Sequence, residues 1–140
     1  MAAQNERTAA CLIEWGDDSA LVDWLVELAE SVDAIGIDAP FGFPEGIVQA
    51  LPQRAAGGRW TDAPKDELRY RITDRFVREH TKRSPLSAPS DLIAVAAWRC
   101  AGLLDRLRPA GSAPHSRLGD DGVYEVYPGA ALTCWGFERN

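Results

Sequence analysis

Long apolar runs are missing from this chain. The longest, Leu92 to Trp98, is a small fraction of the roughly 20 residues that a membrane-spanning helix needs. Cysteine is scarce as well: Cys11, Cys100 and Cys134 are odd in number, far apart and without a C-x-x-C pair. That argues against a disulfide framework and against a zinc site, and leaves the three as small buried hydrophobes. The opening residues, Met1 to Arg7, hold no basic stretch leading into an apolar one, so no secretory signal is read and a cytoplasmic location is expected. Also absent are a Gly-rich phosphate loop, a nucleophile elbow and a dinucleotide fingerprint, which removes the motif-bearing nucleotide and hydrolase classes. Lysine is nearly missing, Lys65 and Lys82 being the lysines among 15 basic residues. The cationic chemistry therefore rests on arginine, the better fork for carboxylate and phosphate, although an arginine- and alanine-heavy composition also follows from nucleotide bias.

What is present is a chain of 140 residues, 46% hydrophobic, with five tryptophans that need somewhere to pack. Such a composition is too apolar for disorder, and the length suits one core or a piece of a larger one. The net charge of -6 is uneven: residues 1–45 carry ten acids against Arg7 alone, while residues 46–140 carry eleven acids against fourteen Lys/Arg.

Thr8 to Trp15 reads as a strand stopped by Gly16-Asp17-Asp18, after which Ser19 can cap a helix with Leu21, Trp24, Leu25 and Leu28 on one face. Ala34 to Asp38 is a second strand, apolar enough to be covered on both sides, and Pro40 ends it. Strand, helix, strand in this order predicts an α/β fold. Pro44 opens a short helix over Glu45–Leu51, and residues 53–63 read as a loop. Asp66–Thr81 is predicted as one helix, with Leu68, Ile72 and Phe76 on an apolar stripe and Arg71, Asp74, Arg75 and Arg78 on another. Ser90 would cap a helix from Asp91 to about Arg106, apolar nearly all round and so expected to be deeply buried. After a polar loop, Val123–Tyr127 is a third strand closed by Pro128, and Ala130–Trp135 begins another element.

Two carboxylates fall where the pattern wants none. Asp38 ends a buried strand, at the sheet edge where open α/β folds place ligands. Glu125 lies inside an apolar strand, where an unpartnered charge costs several kcal/mol. In one reading Asp38 caps the following turn and Glu125 pairs with a buried arginine such as Arg71 or Arg99. In the other, the two acids converge and hold a hard divalent cation, Mg²⁺ or Mn²⁺. The 71/74/75/78 stripe is either a solvated face with an i, i+3 ion pair or a phosphate-binding set, Arg71, Arg75 and Arg78 around Asp74. His80 and His115 lack the context of a ligand or nucleophile and receive no role.

Three segments together resemble a known family. Gly36-Ile37-Asp38-Ala39-Pro40-Phe41-Gly42-Phe43-Pro44 is the first. Arg69-Tyr70-Arg71-Ile72-Thr73-Asp74-Arg75, with Pro85-Leu86-Ser87 and Ser90-Asp91-Leu92-Ile93, is the second. Tyr124-Glu125-Val126-Tyr127-Pro128, with Ala130-Ala131-Leu132 and Trp135-Gly136, is the third. In this order they resemble the domain of unknown function 429 family, described as predicted nucleases with a ribonuclease H-like fold. The resemblance implies a three-layer α/β domain with a mixed sheet flanked by helices and a helical insertion over about residues 45–108. It also implies Asp38, Asp74 and Glu125 as catalytic acids, with Mg²⁺ or Mn²⁺ held by Asp38 and Glu125 for in-line hydrolysis of a phosphodiester.

Family members usually begin with a further strand ending in Gly-x-Asp and continue into further helices. Residues 1–140 are accordingly expected to form a single, shortened domain lacking that first strand and those helices, able to self-associate through an exposed sheet edge. The leading expectation is a nuclease-like protein acting on nucleic acid. The alternative is a non-catalytic remnant that binds a protein partner or a phosphorylated small molecule through the arginine-rich helix face. A phosphotransfer enzyme of the sugar-kinase and actin branch ranks last, since its glycine-containing phosphate turns are missing.

Overall fold

The computed structural model describes residues 18–108, 115–116 and 119–137. Its elements are α1 (Asp18–Ala29), β1 (Ile35–Ile37), α2 (Glu45–Ala55), α3 (Lys65–Arg69), α4 (Ile72–Thr81), α5 (Asp91–Leu107), β2 (Val123–Glu125) and α6 (Pro128–Cys134). The fold is mixed α/β, with a two-stranded parallel sheet among the described residues. The expected first strand, Thr8–Trp15, lies outside them. Two parallel strands cannot be joined by a tight turn, and here α2 to α5 make the crossover between them. No described helix is long and apolar enough to cross a membrane.

Register pairs Ile35 with Val123, Gly36 with Tyr124 and Ile37 with Glu125. A further bond, from the Val126 N–H to the Ile37 carbonyl at 2.9 Å, extends the pairing past the strand ends. Against this sheet packs the core: Cys100 and Leu104 of α5 meet Val123, with Ile37, Ala39 and Phe41 closing around them. On the far side of α5, Arg99 Nε reaches Asp18 Oδ1 at 2.7 Å and ties α1 to it.

Several expectations change. The helix expected over Asp66–Thr81 is two helices, because Tyr70 is extended (φ -123, ψ 131) and Arg71 takes the N-cap position of α4. Arg71 is therefore off the helix stripe it was expected to share with Arg75 and Arg78. The stripe itself is reversed: Asp74 is buried, 4% exposed, whereas Ile72 and Phe76 face outward at 72% and 59%. Burying an acid and exposing an isoleucine is the opposite of what apolar spacing predicts, and the cause is the ion pairing of Asp74 described below. α2 runs on to Ala55 through Pro52, since proline forfeits one helical bond while its own carbonyl still accepts from the Ala56 N–H.

α5 is buried on one face, not all round. Ala94, Ala97, Cys100, Leu103 and Leu104 face inward, while Leu92, Val95 and Trp98 are exposed. Trp60 and Trp135 are exposed too, so composition overstated how much aromatic surface this chain buries. Cys134 is exposed and only Cys100 behaves as the expected buried hydrophobe; Cys11 lies outside the described residues. Ser90 stands at the N-cap of α5, but its hydroxyl donates to the Ser87 carbonyl instead of accepting from the helix. Close approach of α2 and α3 depends on Gly46, where a Cβ would press on the Glu67 carbonyl at 3.0 Å.

The two faces of α5 make a direct test. Leu104→Ala should lower unfolding free energy by about 2–4 kcal/mol, whereas Leu92→Ala should change it by no more than about 0.5 kcal/mol, both measured by urea denaturation. Equal losses would place the core on the other face of the helix.

Candidate ligand cleft and the Arg71 cluster

Strands β1 and β2 end side by side, and their carboxyl ends open into a cleft of about 1370 Å³. This is where ligands of open parallel sheets bind. The turn after β1, Asp38 to Phe43, forms one wall, with the start of α4 and the segment Tyr124 to Tyr127 forming others. Both acids singled out from the sequence line it, as do Arg71, Asp74 and Arg75. Register sets Glu125 beside Ile37 and not beside Asp38, so the two acids share the cleft without being sheet partners.

At its floor, one arginine holds two acids. Arg71 Nη1 donates to Glu125 Oε2 and Nη2 to Glu125 Oε1, each at 2.7 Å. From the same guanidinium, Nε donates to Asp74 Oδ2 at 3.0 Å and Nη2 to Asp74 Oδ1 at 2.7 Å. The Arg71 backbone N–H adds a bond to Asp74 Oδ2 at 2.9 Å, the half of a capping box in which the third helical residue reaches back to the N-cap. Glu125 Oε2 also accepts the Phe41 N–H at 3.0 Å.

These bonds explain how Asp74 can be buried. A buried carboxylate is tolerated when its lone pairs are filled by charge-assisted donors, and both oxygens of Asp74 are. For Arg71, burial works against the charge, but the hydrogen bonds to Asp74 and Glu125 outweigh it and hold the guanidinium firmly protonated. Of the two partners proposed for Glu125, the structure selects Arg71; Arg99 goes to Asp18. The i, i+3 ion pair proposed for the stripe is present as Arg71–Asp74.

The divalent ion that the family resemblance implies does not fit these residues as placed. Both oxygens of Glu125 are held by Arg71, and the guanidinium is held in turn by Asp74. Among the described residues no group of three or more His, Cys, Asp or Glu side chains comes together that could hold a metal ion.

Outside the cluster, Arg75 and Arg78 are exposed and make no ion pair among the described residues. Arg75 lines the cleft and also a smaller adjoining hollow of about 430 Å³, whose walls include Tyr70, Arg78 and Lys82 together with Asp66 and Glu79. Lys82 sits in the left-handed region (φ 58) at the end of α4. Sequence reasoning missed it, and it missed the aromatic lining of Phe41, Phe43, Tyr70, Phe76, Tyr124 and Tyr127. The Pro-flanked turn and the Tyr-Glu-Val-Tyr strand carried those residues, but nothing in their spacing says that they meet.

The two histidines have local partners. His80 Nδ1 donates to the Phe76 carbonyl at 2.8 Å, and its ring stacks on Phe76. His115 Nδ1 lies 2.7 Å from Asp121 Oδ2. Burial raises the Asp121 carboxyl, but the Ser116 N–H, His115 and the Val123 N–H together bring it below its ordinary value.

The family model for Protein of unknown function (DUF429) matches residues 2–140. The chain belongs to the DUF429 family. No curated protein and no solved structure matches it. Membership agrees with the order of the three motifs, and residues of all three line the cleft.

Two outcomes follow from the cluster. Arg71→Met, which leaves Asp74 buried and unpaired, should cost about 3–5 kcal/mol, and Glu125→Gln, which leaves the Arg71–Asp74 pair intact, only about 1–2 kcal/mol; thermal and urea unfolding of both variants would compare them. The Cys100 thiol, under the cleft floor, is pushed from 9.0 up to about 11 by burial and by the charge of Glu125. Its raised value contributes stability that is complete below pH 9.0 and is lost as pH rises through about 11. Cys100→Ala should therefore flatten the alkaline fall of stability in that window, and at pH 8 iodoacetamide should label Cys134 well before Cys100.

Proposed function

We propose that this DUF429 chain binds a phosphate-bearing ligand with a flat ring, a nucleotide or a stretch of single-stranded nucleic acid, in the cleft at the strand ends. The observation that carries this reading is the position of Arg75, on the rim shared by the aromatic-lined cleft and the small cationic hollow. Rings stack on aromatic side chains with little regard to base identity, while arginines beside them take the phosphate. The floor cluster of Arg71, Asp74 and Glu125 sums to one negative charge, and Asp38 adds another, so a phosphate is repelled from the floor and directed to Arg75, Arg78 and Lys82.

This reading develops the arginine-face alternative of the sequence. Metal-assisted hydrolysis of a phosphodiester, which the family resemblance implies, would act on the same ligand class. It is the second reading, supported by Asp38 and Glu125 lining one cleft. It requires Glu125 to be released from Arg71 for an ion to bind. The chain's net charge of -6 keeps affinity for nucleic acid weak away from the cationic rim.

A labelled single-stranded oligonucleotide and a mononucleotide, titrated at several salt concentrations, test the proposal. The double variant Arg75→Ala, Arg78→Ala should weaken oligonucleotide binding by about tenfold or more and make the slope of log affinity against log salt shallower by about 1.4, roughly 0.7 for each phosphate no longer neutralised. Binding that is unchanged in the double variant overturns the proposal. Hydrolysis of the oligonucleotide with Mg²⁺ or Mn²⁺, abolished by Asp38→Asn, would favour the second reading.

A further inference from the structure

We infer that Arg71 is the resident cation of the cleft-floor carboxylates: its guanidinium occupies the position between Asp74 and Glu125 that a divalent ion would take, so the cluster is assembled without metal.

The hydrogen bonding carries this. The guanidinium has five N–H donors, and four hydrogen bonds run from it to the two carboxylates, at 2.7 to 3.0 Å. All four carboxylate oxygens are taken by that one group. A hard divalent ion needs the same oxygen lone pairs, and it would meet a positive charge at contact distance. Arg71 cannot yield by losing its proton, because an arginine stays charged at any physiological pH. Nor can it swing away without leaving Asp74, 4% exposed, unpaired.

The same fork makes Arg71 a positioning residue for the cleft wall. Glu125, held by Arg71, accepts the Phe41 N–H. The guanidinium thus fixes the turn that carries Phe41 and Phe43 against the end of β2, acting through Glu125. This holds whatever the cleft binds, so it does not rest on the ligand reading above.

The test uses the full chain and Mn²⁺ alone, followed by electron paramagnetic resonance and by calorimetry. In the native chain, Mn²⁺ affinity should be the same before and after Glu125→Gln. Arg71→Met, which keeps an apolar stem and removes the fork, should gain a saturable Mn²⁺ site about tenfold or more tighter than anything in the native chain. Glu125→Gln added to Arg71→Met should abolish that gain. Two results would overturn the inference: native-chain Mn²⁺ binding weakened about tenfold or more by Glu125→Gln, or a folded Arg71→Met chain with no new site. If Arg71→Met does not fold, the native chain and the Glu125→Gln variant decide alone, since that substitution leaves the Arg71–Asp74 pair in place. Native-chain Mn²⁺ binding that Glu125→Gln leaves unchanged supports the inference, and binding that it weakens refutes it.

Discussion

The four hydrogen bonds from the Arg71 guanidinium to Asp74 and Glu125 are the constraint from which most of the site follows. Glu125 is the last residue of β2, and Asp74 lies in the first turn of α4. One planar fork therefore sets the start of a helix against the end of a strand about fifty residues away. For the fork to reach both, Arg71 must leave the helical path, and the extended Tyr70 supplies the break between α3 and α4. The turn after β1 joins the same arrangement through the Phe41 N–H. Three parts of the chain meet on one charge, and their meeting surface is the cleft.

Rotating α4 to bury Asp74 has a second effect, because a helix cannot hide one stripe without showing another. Ile72 and Phe76 come to the surface, and Phe76 becomes part of the cleft wall, with His80 stacked on it. Apolar surface at a rim is costly for a monomer in water but useful to a ligand with a flat face. The neighbouring turn of α4 presents Arg75 and Arg78. The exposed Phe76 and the arginines beside it thus arise from one orientation of one helix.

Much of this fold is legible in the residues, and the failures share a cause. The short apolar segments at 34–38 and 123–127 contain β1 and β2, and Pro40 and Pro128 stop them where proline's missing donor requires. Glu125 is recognisable as a charge needing a partner, and Arg71 is one of the two arginines the sequence suggests for it. Periodicity failed at Ile72 and Asp74. It assumes that apolar residues face inward, and a fully bonded ion pair can outweigh one isoleucine. It failed again at α5, which reads as buried nearly all round although Leu92, Val95 and Trp98 are exposed and Cys100 and Leu104 are the residues that meet β2. The break at Tyr70 left no glycine or proline to mark it. Its signal, an arginine three residues before an aspartate, is also that of an ordinary helical ion pair.

Charge distribution joins the site to the whole chain. The sequence is acidic over its first third and cationic afterwards, but the cleft draws acids from both parts, Asp38 from the first and Asp74 and Glu125 from the second. Asp38 and the singly negative Arg71 cluster lie at the strand ends, while Arg75, Arg78 and Lys82 lie along α4. A ligand carrying charge of one sign would meet attraction at one end and repulsion at the other. That opposition orients a ligand more than it tightens one, since exposed charges contribute little free energy but steer approach. Without the Arg71 charge, Asp38, Asp74 and Glu125 would leave three negative charges at the floor in place of two, and its field would favour cations. The guanidinium thus limits the negative field at the floor of a cleft that Arg75 also lines, so the fork and the exposed arginines act on one electrostatic field.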